Sequence, residues 1–320
     1  MKVPFRSIDH LFSKFDHLIS TVLSDINPVI NQTVLPKILE KGKRVRPTLV
    51  YLSAAICNAK TSLQCHRHAV VVELIHTASL FQDDVLDHAE VRRGRPSINR
   101  LFGNDTAVLV GDLLYMKALA LMSSQNKTLR NAVNQTVVAM IEAEIFQGLN
   151  RFAILNEKQY FDVIKGKTAA LMKLSCQLGA SLSGNEKWIS TLAQYGEKLG
   201  LAYQLIDDLL DWTGNNTDKG IYSDAKEGRF TLPLLRLLDT MTTSAKTLLL
   251  DDLKNFSADQ KPEKMHKYRE MINDKGISYK IRREAEQIVL QAADTLSDLP
   301  KSPFLDSLLD LSNNLVKRGE

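Results

Sequence analysis

The chain has 320 residues, 44% of them hydrophobic and 24% charged, with a net charge of +4, the balance of an ordinary globular protein rather than a disordered or fibrous one. So small a positive charge excludes a dedicated nucleic-acid binder, which needs a denser basic stripe, but suits an anionic substrate. Cys57, Cys65 and Cys176 are odd in number and widely spaced, which excludes a zinc site or disulfide framework and fits a reducing compartment. The opening M-K-V-P-F-R-S-I-D-H has neither a signal-type apolar core nor a membrane-spanning run, so a cytoplasmic location without a transmembrane segment is expected.

Glycine and proline are scarce and β-type alternation is rare, whereas apolar residues recur at three and four, beginning with Leu11, Phe15, Leu18, Ile19 and Val22. That period predicts helix. Pro47 suits the first turn of a helix running to about Cys57, and His66–Val85 reads as a long buried one. Further helices are expected at Asp105–Met122, Thr128–Phe152, Glu157–Leu182, Glu186–Trp212, Leu232–Thr242, Pro262–Asn273, Ser278–Leu296 and Pro303–Val316. The expected fold class is all-α. Ala69–Leu86 and Gly200–Leu210 are apolar on nearly all sides and belong at the centre of a bundle. No linker rich in Pro, Gly or Ser divides the chain, so residues 1–320 are expected to form one domain, with the polar Thr243–Lys275 at its periphery.

The stretch that dominates the reading is Leu80–Asn99, L-F-Q-D-D-V-L-D-H-A-E-V-R-R-G-R-P-S-I-N. It ends an apolar run with Asp83, Asp84 and Asp87, followed at once by Arg92, Arg93 and Arg95. On a helix Asp83 and Asp87 share a face at i,i+4. Hard oxygens in that number suit Mg²⁺, which binds one or two carboxylates plus substrate phosphates, and the arginines match phosphate bidentately. One such cluster is equally well a solvated acidic patch beside a basic loop. A second copy decides: Gln204–Trp212, Q-L-I-D-D-L-L-D-W, repeats the spacing with Asp207, Asp208 and Asp211 inside another apolar run. Both helices must bury their apolar residues, so the expectation is two helices facing each other across a cavity lined at its mouth by carboxylates.

Other constellations are weaker. In K-G-K-R-V-R-P, Lys43 and Arg46 are placed to hold a diphosphate at a helix N-terminus, or else belong to a basic loop in water. His76, on the Asp83 helix, is a core histidine unless an anion is near. Lys165, Lys167 and Thr168 in K-G-K-T-A-A lack the upstream glycine of a P-loop. Asp218–Pro233, with Lys219, Lys226 and Arg229, reads as a lid over phosphate or a solvated connection.

Taken together, these motifs resemble the trans-prenyltransferases, the all-trans polyprenyl diphosphate synthases, and the octaprenyl-type members most closely. The resemblance runs through G-K-R-V-R-P at Gly42–Pro47, L-I-H-T-A-S-L-F-Q-D-D-V-L-D at Leu74–Asp87, R-R-G-R-P-S-I-N at Arg92–Asn99, V-G-D-L-L-Y at Val110–Tyr115, K-T at Lys167, Y-Q-L-I-D-D-L-L-D at Tyr203–Asp211 and E-G-R-F-T-L-P at Glu227–Pro233. It implies a helical bundle of the isoprenoid synthase type with a central active-site cavity. It also implies that Lys43, Arg46, His76 and Arg93 bind isopentenyl diphosphate, and that Arg92, Lys167, Thr168, Gln204 and Lys219 hold the allylic diphosphate. Asp83, Asp87 and Asp207 would ligate Mg²⁺, roughly three ions with substrate bound, and Asp84, Asp208 and Asp211 would support them. A homodimer and delivery of the product to a membrane are further implications. The chain departs from the family at Tyr222 and at Ala143 within Glu142-Ala143-Glu144, where glycine is usual, and at Arg229, where lysine is usual.

Product length is read from the first aspartate helix, where Ala78 and Ser79 lie roughly 6–7.5 Å deeper than Asp83 at the helical rise. Neither is bulky enough to stop a growing chain; Ile75 is the next large residue on that face, with Met122 or Phe146 as the expected floor. The expectation is a product of about thirty carbons or more, with about forty the single best value, for a quinone side chain. The alternatives are a shorter-chain synthase making a geranylgeranyl or farnesyl product, and a regulatory subunit of a heteromeric synthase, although such subunits typically lose aspartates that are all present here.

Overall fold

A computed structural model describes residues 8–39, 42–92, 94–214, 221–259 and 263–318. In chain order these form α1 (Leu11–Leu23), α2 (Pro28–Ile38), α3 (Val45–Ile56), α4 (Leu63–Leu86), β1 (Val91–Arg92), β2 (Arg95–Pro96), α5 (Ile98–Phe102), α6 (Asn104–Leu121), α7 (Lys127–Leu149) and α8 (Glu157–Ile164). A π-helical turn (Lys165–Ala169) leads into α9 (Ala170–Ala180) and a 3₁₀ turn (Ser181–Ser183). Then follow α10 (Glu186–Thr213), α11 (Ser223–Lys226), α12 (Leu232–Asp239), α13 (Thr243–Asp259), α14 (Glu263–Asp274), α15 (Ile277–Thr295) and α16 (Pro303–Val316). The fold is all-α; among the described residues the only sheet is the antiparallel hairpin pairing Val91 with Pro96 and Arg92 with Arg95.

The contacts group the chain into two compact units. The first holds residues up to Val138, Leu171–Glu197 and Ala292–Leu311; the second holds Ala139–Ala170, Lys198–Gln291 and the residues from Ser312. In the first, α4 is the central element, with α3 and α6 against it. Its side chains from Cys65 through Ala78 are mostly buried, as an all-apolar helix requires. Ser62 caps its N-terminus by accepting from the Cys65 N–H at 3.3 Å. Even its polar core residues are partnered: Tyr51 Oη meets His66 Nδ1 at 2.8 Å, and His68 Nδ1 donates to the Leu178 carbonyl at 2.9 Å.

In the second unit, α10 from Lys198 onward buries Leu205, Ile206 and Leu209. Arg236 on α12 ties α8 to α15, with Nε 2.8 Å from Glu157 Oε1 and Nη2 2.8 Å from Glu284 Oε2. Thr243–Lys275 is no featureless polar stretch. Its α13 buries Leu249, Leu253 and Phe256, one residue per turn, and α14 buries Met265, Tyr268 and Ile272. Four expectations needed correction. Glu157–Leu182 is broken by the π-turn, Thr128–Phe152 ends at Leu149, and neither α2 nor α13 was expected as a helix. Asn27 and Pro28 start α2 as cap and first-turn proline, with the Val29 N–H 3.0 Å from Asn27 Oδ1, but Pro36 inside the helix masks the pattern.

The closest helix approach in the first unit is set by Gly179 on α9. A Cβ there would lie 2.2 Å from the Val50 carbonyl oxygen and 2.8 Å from Ser53 Cβ. Gly179→Ala should therefore destabilise the protein by about 2–3 kcal/mol, as overpacking against backbone does. Chemical denaturation of the two proteins checks this, and an unchanged midpoint would contradict the packing described.

Candidate active site

In the first unit α4 ends in the acidic sequence. Asp83 and Asp87 are half-buried, whereas Asp84 is only 2% exposed. A carboxylate so deep must be met by donors, and the hairpin supplies them: Arg92 on β1 places Nε 2.6 Å and Nη2 2.5 Å from Asp84 Oδ1. The R-P-S-I-N sequence then closes the helix end. Asn99 Nδ2 donates to the carbonyls of Asp84 (3.2 Å) and Ala89 (3.0 Å), and Ser97 Oγ donates to Ala89 O at 2.7 Å. The arginine-rich segment is thus a local lock on the aspartate turn. Arg93 lies outside the described residues.

At the start of α3, Arg46 Nη1 is 3.1 Å from His76 Nε2 on α4. Guanidinium has only donors, so His76 Nε2 accepts here. The two residues singled out separately in the sequence are brought together. Arg44, passed over in the sequence, holds this loop: in a left-handed conformation at φ 48, it pairs with Asp16 at 2.5 Å and lies over the rings of Phe12 and Phe15. Lys43 beside it is exposed. A cavity in the same unit is lined by His76, Asp84 and Arg92 together with Lys37, Glu73 and Thr77. Lys37 was also missed; it donates to the Pro96 carbonyl at 2.8 Å. Ile75 and Ala78 are fully buried and Ser79 half-buried, and Met122 is buried, but Phe146 is 36% exposed. Phe146 is therefore not a buried floor residue within this chain.

In the second unit α10 presents the other acidic set with the division reversed at its third position: one carboxylate is half-exposed and two are buried. Asp207 has a side chain 38% exposed and accepts from Arg318 Nη2 at 3.2 Å; Arg318 also lies over the Tyr203 ring. Asp208 is buried, with Tyr160 Oη donating to Oδ2 at 2.6 Å and Gln204 Nε2 to Oδ1 at 2.7 Å. Asp211, also buried, takes the Ser223 N–H and Oγ on Oδ1 (2.9 and 2.7 Å) and the Asp224 N–H on Oδ2 (3.2 Å). Burial, and then the Asp224 charge, pushes Asp208 well above the usual carboxylate range, against the hydrogen bonds from Tyr160 and Gln204. The same two causes push Asp211 up to about 7.

The π-turn contributes the remaining groups of this unit. Lys167 Nζ pairs with Glu144 at 2.5 Å and donates to Gln147 Oε1 at 3.1 Å, and Thr168 Oγ1 donates to Gln204 Oε1 at 2.6 Å. Thr168, Gln204, Asp208 and Tyr160 thereby form one hydrogen-bonded chain. Tyr160 carries no motif; its only sequence signal is the Asn156–Gln159 capping box that fixes the helix start beside it. Lys219 lies outside the described residues.

Among the described residues no group of three or more His, Cys, Asp or Glu side chains gathers closely enough to hold a metal ion by itself. The half-exposed oxygens of Asp83, Asp87 and Asp207 instead suit Mg²⁺, a hard cation that keeps waters and completes its shell with substrate phosphates. The buried Asp84, Asp208 and Asp211 are already committed to protein donors.

The polyprenyl synthetase family model matches residues 28–276. Octaprenyl diphosphate synthase of Escherichia coli (strain K12) is 32% identical over 304 residues, covering 92% of this chain and 91% of that protein. Of solved structures, a decaprenyl diphosphate synthase from Rhodobacter capsulatus superposes with TM-score 0.90 at 29% identity, covering 98% of both chains. A polyprenyl synthase from Caulobacter crescentus CB15, complexed with calcium and isoprenyl diphosphate, gives 0.86 at 27% identity, covering 98% of this chain and 97% of that one.

The raised Asp211 carboxyl has a consequence for stability. Its folded pKa of about 7 lies above the ordinary carboxylate value of 3.8, so the folded state binds the proton more tightly and stability falls as pH rises from about 4 through 7. Asp211→Asn keeps the oxygen that Ser223 donates to and removes the charge. The substitution replaces the oxygen that accepts from the Asp224 N–H, a loss independent of pH, so in EDTA the variant's stability relative to the parent should rise by a few kcal/mol from pH 4 to pH 8, and denaturant midpoints that differ equally at both values would refute the assignment.

Proposed function

Since the chain belongs to the polyprenyl synthetase family, and is a prenyltransferase, we propose that it is a long-chain all-trans polyprenyl diphosphate synthase. It joins isopentenyl diphosphate head to tail to an allylic diphosphate. The observation that carries the reading is the pair of D-D-x-x-D sets, each with half-exposed carboxylates beside buried ones held by donors.

In this reading the allylic C–O bond breaks, the double bond of isopentenyl diphosphate attacks the resulting carbon to form the new C–C bond, and a proton is lost. Asp83, Asp87 and Asp207 would hold Mg²⁺, which would supply charge stabilisation at the leaving oxygens. Lys167 and Arg92, with Lys219 by its place in the sequence, would add cations to the same diphosphate, where the stabilisation grows with the charge that develops. Thr168 and Gln204 orient it. Lys43, Arg46, His76 and Arg93 hold the diphosphate of isopentenyl diphosphate. None of these side chains is a strong base beside the cation, so the released diphosphate takes the proton. Apolar walls keep water from the cation.

The small, buried Ala78 and half-buried Ser79 support a long product, about forty carbons at the depth a helix places them, suited to a quinone side chain. A homodimer is part of the reading, supported by the exposed Val138, Ile141, Ile145 and Leu149 along one face of α7. No described helix is long and apolar enough to cross a membrane, so a long product is handed to one.

Two outcomes test the reading. The purified chain, given farnesyl and isopentenyl diphosphates with Mg²⁺ and no partner, should make the long product, and Asp83→Ala or Asp207→Ala should each lower the rate by roughly a hundredfold or more. Ala78→Tyr should shorten the product sharply on chromatography of radiolabelled material; an unchanged length would remove this helix face as the determinant of chain length.

A further inference from the structure

Gly166 has no conformational need to be glycine. It sits in the π-turn with no positive φ, and a glycine inside a helix is destabilising relative to alanine. What it supplies is space. A Cβ at position 166 would lie 2.8 Å from the Ala139 carbonyl oxygen and 2.8 Å from Ala143 Cβ on α7. Ala139 and Ala143, one turn apart, and Gly166 therefore make a seam of small residues through which the π-turn reaches the α7 backbone. The residue next to that seam on each side is polar and paired: Lys167 follows Gly166, Glu144 follows Ala143, and the two side chains meet at 2.5 Å, with Gln147 one turn of α7 further on accepting from the same ammonium at 3.1 Å.

We infer that Gly166 is a positioning residue for Lys167: by letting the π-turn seat directly on α7, it fixes the lysine between Glu144 and Gln147 and aims its ammonium at the allylic diphosphate. The π-turn makes this sensitive, because a widened turn has a register that can relax back to a regular helix if the seam is forced apart. A displacement of an ångström is enough to misplace a group that acts by orientation. Ala143 is the other half of the seam. The inference rests on the assignment of Lys167 to the allylic diphosphate.

A double-mutant cycle separates the two claims. Lys167→Ala should raise KM for the allylic diphosphate and weaken binding of inorganic pyrophosphate with Mg²⁺ in calorimetry by roughly ten- to a hundredfold. If that single change leaves both unaltered, the assignment of Lys167 fails, and with it the premise. Gly166→Ala alone should weaken pyrophosphate binding by about tenfold, and in the Lys167→Ala background it should add less than about twofold. An equal loss from Gly166→Ala in both backgrounds would mean the glycine acts on packing alone and would overturn the inference. Ala143→Val crowds the same seam from α7 and should follow the same non-additive pattern, which keeps the test decisive if the Gly166 variant does not fold.

Discussion

A carboxylate cannot be buried without donors to meet it, and that constraint organises both acidic elements. Asp84, Asp208 and Asp211 are each 3% exposed or less, and each recruits a separate piece of chain. Asp84 draws in the β-hairpin through Arg92. Asp208 takes Tyr160 from α8. Asp211 takes the first turn of α11. Removing Arg92 from Asp84 would leave an uncompensated charge, which costs several kcal/mol in typical buried pairs, whereas at Asp208 and Asp211 the loss would be a hydrogen bond to a buried oxygen. The half-exposed Asp83, Asp87 and Asp207 inherit a fixed backbone from these buried neighbours. The D-D-x-x-D spacing therefore does two jobs on one helical turn: some members are anchored, and their neighbours remain accessible to a cation.

The same constraint explains why the cations near these sites are not all alike. Arg92 has a delocalised fork that puts two nitrogens on one Asp84 oxygen, geometry a lysine ammonium cannot match. Lys167 is a point charge held between an acid and an amide, a partnership that fixes its direction without removing its charge. Arg318, on the short segment after α16, meets Asp207 and the Tyr203 ring, so the most exposed member of the second set also has a cation beside it. Like charges in the second set are tolerated because burial and the Asp224 charge favour the protonated forms of Asp208 and Asp211.

Much of this was legible in the sequence, and the failures have physical causes. Helices with unbroken apolar surfaces, α4 and α10, announced themselves by length and composition, and α16 by a clean period from Pro303 to Val316. The aspartate sets were legible because repetition at one spacing is hard to obtain from solvated surface. The divisions within the sets were not, since Asp83 and Asp84 are identical in sequence and only burial tells them apart. α13 was hidden because one buried residue per turn, Leu249, Leu253 and Phe256, is a weak signal among charges. The π-turn was invisible: nothing in K-G-K-T-A marks it, and the approach of Gly166 to Ala139 and Ala143 on α7 exists only in the fold. Tyr160 and Arg44 were missed because their roles are to hold other residues, a property of contacts across 48 residues in one case and 28 in the other.

The departures from the family pattern belong to the same account. Tyr222 adopts φ 62, a left-handed conformation costing an ordinary residue about 1–2 kcal/mol. Glycine would avoid that cost. The ring offsets it by burial against Trp212, Phe256 and His266, with centroids 5.3, 6.4 and 5.9 Å away. The backbone conformation is retained: the Tyr222 N–H still reaches the Asp211 carbonyl at 3.0 Å, so the following turn is delivered to the Asp211 carboxylate. Arg229 completes the arrangement. Buried where a lysine is usual, it reaches Asp224 at 3.0 Å and also pairs with Glu227, two acids that one fork can serve together. Asp224 is also the charge that helps push up Asp211. Tyr222 and Arg229 thus change the chemistry of the loop while preserving what the loop must do, which is to present donors to a carboxylate that water cannot reach.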